Sequence, residues 1–182
     1  MDKEISQPVS VVVERRPAKS RWADWIWVPA EVIVGSSAVD PFTELENRPD
    51  GIVRYFMGSI DLVLHRKETE AYVLNMAGDR VLYVVLRCGD VEGQPISLHM
   101  VTASPYEAQD YLDSGEEIVE AIPMPQRVSE LVEAFCAYHH KEEAFVKRKR
   151  DKVKTEDLKF GKEPIFEAAG RMRSPKDHGD DV

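Results

Sequence analysis

The stretch IDLVLHRKETEAYVLNMAGDRVLYVVL, residues 60–86, holds three apolar runs separated by two short polar links. In the first run Ile60, Leu62 and Leu64 share one face of an extended chain, and in the second Tyr72, Leu74 and Met76 do the same. The third, VLYVVL, is apolar on both faces, which places it at the centre of a sheet. The five-residue link RKETE predicts an antiparallel hairpin between the first two runs. AGDR, with Gly78 and Asp79, predicts a tighter turn into the third. Three consecutive antiparallel strands make the chain a sheet protein.

Further strands extend outward from this centre. ISLHMV, residues 96–101, alternates after the turn GDVEGQP. Upstream, Val9–Glu14 is rich in β-branched residues. Trp25–Val34 alternates in part, with Trp25 and Trp27 on one face and Ile26 and Val28 on the other. Between Val34 and the central stretch, Gly35 to about Asp50 reads as an acidic, proline-broken loop.

At Ser104 the period changes from two to helix punctuation. In SPYE, Ser104 is the N-cap, Pro105 the first helical residue and Glu107 the third, a capping-box signature. Gly115 then ends the helix. EIVEAI is a short strand, and Pro125 opens a second helix whose stripe is Val128, Leu131, Val132, Phe135 and Tyr138. The expected fold is α+β: a strongly bent, mostly antiparallel sheet of six or seven strands, open to closure into a barrel. A short helix precedes the last strand, and a C-terminal helix packs on the sheet. Strands followed by one helix resemble pleckstrin-homology-like barrels by analogy alone.

Residues 1–7 are polar and expected to be disordered, 8–145 form one domain, and 146–182 form a charged, largely disordered tail. Two apolar clusters in that tail, DLKF and EPIFEAAGRM, are stray residues or a segment that folds on a partner. The chain of 182 residues has a net charge of −9, unevenly spread. KRKRDKVK, residues 147–154, carries +5 by itself, so the remainder stands at −14. Residues 105–125 contain no Lys or Arg. This acidic body repels nucleic acid. The basic run has no aromatic residue on which bases could stack, so nucleic-acid binding is not expected.

Cys88 and Cys136 form no CxxC pair, and no disulfide framework or zinc knuckle is expected. The start MDKEISQP lacks the apolar run of a secretory signal, and no segment approaches the ~20 apolar residues of a membrane span. Both point to a cytoplasmic protein.

No nucleotide loop, metal-ligand spacing or nucleophile elbow occurs. An enzyme, a metal and a cofactor are therefore not expected. His65 and His99 lie on strands, each opposite that strand's apolar face; they are a metal or acid–base pair if the strands adjoin, and otherwise two half-exposed histidines. His139 and His140 precede Glu142 and Glu143, a spacing that helix-dipole chemistry explains without function. The candidate binding surface is instead Arg15, Arg16, Trp22, Trp25 and Trp27. All three tryptophans of the chain lie within six residues, beside arginines. They seal one edge of the core with arginines stacked on them or paired with acids, or they anchor a partner; one exposed tryptophan reconciles the two readings.

The order PVSVVVERRP, WVPAEVIVG, LVLHRKETEAYVLN, SPYEAQDYLDSGEEIVEAIPMP and a closing helix resembles an uncharacterised proteobacterial family of small cytoplasmic proteins, a domain of unknown function. The resemblance spans about residues 8–143 and rests on segment order, not on a reactive motif. It implies genes beside molybdenum-dependent formate dehydrogenases, and with them a non-catalytic accessory or adaptor protein assisting assembly or maturation of such an enzyme. A redox-enzyme subunit is then the implied partner. The alternative is a small ligand-binding protein or enzyme using the sheet histidines and nearby carboxylates.

Overall fold

A computed structural model describes residues 3–140. The expected tail, its basic run and Glu142 and Glu143 lie outside these residues. Within residues 3–140, seven strands form two antiparallel sheets. The first has the order β2-β1-β4-β3, from β1 (Glu4–Pro17), β2 (Trp25–Val34), β3 (Thr43–Asn47) and β4 (Val53–His65). The second has the order β6-β5-β7, from β5 (Val81–Val91), β6 (Gln94–Thr102) and β7 (Glu117–Pro123). Three helices complete the fold: α1 (Thr69–Ala77), α2 (Pro105–Ser114) and α3 (Gln126–His139). The architecture is α+β, as expected, and VLYVVL lies in the central strand of its sheet.

β4 lies against β6 and β2 against β7, so the two sheets share one core. Val9, Val11 and Val13 of β1, Leu62 and Leu64 of β4, and Leu82, Val84 and Leu86 of β5 fill it, with Val128, Val132 and Phe135 of α3. Burying a side chain of this size contributes roughly 1.5–3 kcal/mol. The first sheet bends where Met57 is inserted: Val12 faces Phe56 while Val11 faces Gly58. That bulge switches the core face of β4 from Val53, Tyr55 and Met57 to Leu62 and Leu64. Gly58 has φ +116°, and a side chain there would meet Pro41 of the loop that crosses it.

AYVLNM is a helix, not a strand, so the expected hairpin between residues 60 and 76 does not form. A single 3₁₀ turn at Arg66–Glu68 leads from β4 into α1. Thr69, Ala71, Tyr72 and Asn75 are buried, spaced by three and four, while Leu74 is 55% exposed. The period-two pattern of Tyr72, Leu74 and Met76 was a coincidence within helix-forming residues, and tertiary burial of Asn75 decides against it. AGDR therefore ends a helix: the Gly78 amide donates to the carbonyls of Leu74 and Asn75, and Arg80 takes φ +53°.

Three smaller differences have separate local and long-range causes. β3 falls inside the expected acidic loop, paired with β4. β1 begins at Glu4, so residues 4–7, expected to be disordered, pair with Leu62–His65. Tyr138 is 65% exposed, because at 100° per residue it points roughly 90° from the centre of the Val128–Val132–Phe135 stripe; Cys136, on the other flank of that stripe, is buried instead.

The helix from Ser104 is as expected, with one refinement. The Ser104 hydroxyl accepts from the Glu107 amide and Gly115 closes the helix at φ +68°. Thr102 mediates the other half of the box: its hydroxyl donates to Glu107 and accepts from the Ser104 amide.

Candidate functional site

The core face of β1 runs Val9, Val11, Val13 and then Arg15, because alternate residues of a strand point the same way. Arg15 pairs in register with Trp27 of β2 and Val53 of β4, at the end of the sheet where both hairpins turn. The apolar core thus ends on a cation and a set of rings. Tyr55 stacks on Phe42 with centroids 4.9 Å apart and planes 15° from parallel. Trp27 packs at a tilt against both, 5.5 Å from Tyr55 and 5.8 Å from Phe42. The Arg15 guanidinium lies 4.5 Å from the centroid of Trp25 and 5.8 Å from that of Tyr55. Cation–π contacts of this kind contribute on the order of 0.5–2 kcal/mol. Arg15 Nε is buried without a hydrogen-bond acceptor.

The side chains grade outward from buried to open. Trp27 is half-buried against the core, Trp25 is 45% exposed, and Trp22 in the turn is 95% exposed. That turn is held by the Ala18 amide donating to the Asp24 carbonyl and the Trp22 amide donating to the Ser20 hydroxyl. Pro17 closes β1, and the neighbouring turn at Gly51 comes against it. Ile26 of β2 is also exposed.

On the opposite face of the same sheet end, charges alternate. Arg16 bonds the nearly buried Glu14 at 2.8–2.9 Å. Arg54 donates to Glu31 at 2.7 Å, and its Nε stands 3.7 Å from Glu14, within ion-pair range but beyond a hydrogen bond. Arg16 is therefore tied to the sheet. Lys19 and Arg21, in the turn, form no ion pair among the described residues.

All five sequence candidates thus lie on one sheet end: Arg15 stacks, Arg16 pairs, Trp27 seals, Trp25 does half of each and Trp22 stands free. Sequence reading missed Phe42 and Tyr55. Tyr55 was legible in the alternation Val53, Tyr55, Met57; Phe42, at φ +62° in a loop, had no local signal.

The two strand histidines are not a pair. β4 and β6 share no hydrogen-bonded ladder; His65 Nδ1 lies 3.1 Å from Glu4, and His99 Nε2 bonds the Tyr111 hydroxyl at 3.2 Å. Among the described residues no group of three His, Cys, Asp or Glu side chains is placed to hold a metal. Burial pushes the Cys136 thiol up to about 11 and the Tyr72 hydroxyl up to about 12, which keeps both protonated and chemically quiet at neutral pH. No described helix is long and apolar enough to cross a membrane.

The chain belongs to the family described as Protein of unknown function (DUF3305), which matches residues 8–149. No curated protein and no solved structure matches it.

Proposed function

We propose that this family member is a non-catalytic accessory or adaptor protein of the cytoplasm that binds a protein partner through its arginine–tryptophan sheet end. One observation carries the reading: Trp22, 95% exposed, extends an aromatic and cationic surface that is otherwise anchored in the core. Trp and Arg dominate interface hot spots because they bury large areas at low entropic cost. A rigid strand end beneath them limits the ordering entropy lost on binding. The cations Arg15, Lys19 and Arg21 beside exposed Trp22 and Trp25 suit a partner segment that is acidic and apolar together.

The resemblance in segment order makes a subunit of a molybdenum-dependent formate dehydrogenase the partner class to test first, with assembly or maturation as the role. The full chain and its Trp22→Ala variant are used as baits in native cells, and co-purifying dehydrogenase subunits are quantified. The expected result is capture by the wild type and a loss of roughly 30-fold by the variant, corresponding to a hot spot of about 2 kcal/mol. Both proteins should melt at the same temperature. Absence of the subunits from the wild-type sample refutes the redox-enzyme partner. Equal capture by the variant refutes the surface.

A further inference from the structure

The far end of the β1–β4 pair carries a second, independent feature. Glu4 faces His65 across the ladder, and the Arg66 amide donates to the Lys3 carbonyl at 2.9 Å, which fixes the two strand ends side by side. Lys3, Glu4, His65, Arg66 and Lys67 line an open cavity of about 380 Å³. Its acid is already engaged, since Glu4 Oε1 sits 3.1 Å from His65 Nδ1. Lys3, Arg66 and Lys67 have no carboxylate partner among the described residues.

Acidic residues outnumber basic ones in this chain, 33 to 24, yet none of the described acids stands within ion-pair range of these three cations. Among the described residues Arg16, Arg48, Arg54, Arg80 and Arg87 are paired with acids and Arg15, Arg21 and Arg127 are not, but only Lys3, Arg66 and Lys67 are gathered around one concavity. Three cations gathered around one concavity repel one another, and a bound anion removes that repulsion while gaining charge-assisted hydrogen bonds. We propose that this cavity binds a small phosphate-bearing anion, free or esterified to a small organic group.

Phosphate fits better than a single carboxylate, because a dianion with three or more acceptor oxygens can take the planar fork of Arg66 and the point charges of Lys3 and Lys67 together. The volume falls in the range of small-molecule sites and exceeds what bare phosphate fills, leaving room for an organic moiety. A long polyanion is disfavoured by the acidic body around it. Glu4 and Arg15 lie eleven residue steps apart along β1, about 36 Å when extended. The anion site and the arginine–tryptophan end can therefore be perturbed separately.

The test is amide-resolved NMR of the full chain titrated with inorganic phosphate, with phenyl phosphate, and with sodium chloride at matched ionic strength. The expected result is saturable shifts at Lys3, Glu4 and His65–Lys67 with both phosphates and none with chloride. Tighter binding of phenyl phosphate identifies an ester as the ligand, and equal binding identifies free phosphate. Arg66→Gln with Lys67→Gln should weaken binding at least 10-fold; both side chains are exposed, so the melting temperature should hold. Shifts that do not saturate, that chloride reproduces, that appear only at residues 147–154, or that survive the double substitution overturn the proposal.

Discussion

Asn75 is the buried latch of α1, and its removal tests the helix that replaces the expected strand. Its Nδ2 donates to the carbonyls of Val81 and Ala103, both at 2.7 Å, and its Oδ1 accepts from the Val81 amide at 3.0 Å. One side chain therefore ties the last turn of α1 to the start of β5 and the end of β6. Asn75→Ala deletes all three bonds, each worth about 1 kcal/mol net, and leaves the Ala103 carbonyl without this partner in a buried position. Alanine's better helix propensity returns only about 0.5 kcal/mol. The net loss should be about 3 kcal/mol. With a urea slope of about 2 kcal/mol per molar, the unfolding midpoint should fall by about 1.5 M. Leu74→Gln, one residue away and 55% exposed, should cost no more than about 0.5 kcal/mol. A strand with Leu74 in the core would reverse that order, since deleting a buried leucine costs about 2–5 kcal/mol. A midpoint shift below about 0.4 M for Asn75→Ala, or a larger one for Leu74→Gln, refutes the reasoning.

Gly51 has φ +84°, and an added Cβ would stand 3.2 Å from Pro17, so Gly51→Ala should cost about 1–2 kcal/mol, read as a drop in melting temperature. Under native conditions near pH 8 a maleimide should label exposed Cys88 alone, because Cys136 is buried with its thiol pushed up to about 11; two equivalents by mass spectrometry would contradict this. The Ser114 hydroxyl, followed by Arg87, holds Glu117 below the ordinary carboxylate value. A lowered folded value means that its stabilisation is present above the unfolded pKa, about 4.3, and is lost as pH falls through the folded one. The difference in melting temperature between wild type and Glu117→Gln should therefore shrink from pH 7 to pH 3, and a constant difference would exclude this source of acid sensitivity.

Local chemistry alone determined much of the molecule. Ser104, Pro105 and Gly115 bound a helix because cap geometry is satisfied within a few residues, and VLYVVL is central because apolar groups on both faces need cover on both sides. The clustering of Arg15 and Arg16 with Trp22, Trp25 and Trp27 was visible for the same reason, as neighbours on one hairpin. Tertiary structure alone decided whether AYVLNM coils or extends, since Asn75 is favourable inside the protein only once Val81 and Ala103 supply its partners. It also decided which rings support Arg15: Phe42 and Tyr55 arrive from a loop and another strand. The grouping of Lys3 with Arg66 and Lys67 likewise depends on a ladder that joins residues more than sixty positions apart. Periodicity reports the direction of a side chain relative to its own backbone, whereas these contacts depend on what the rest of the chain places opposite it.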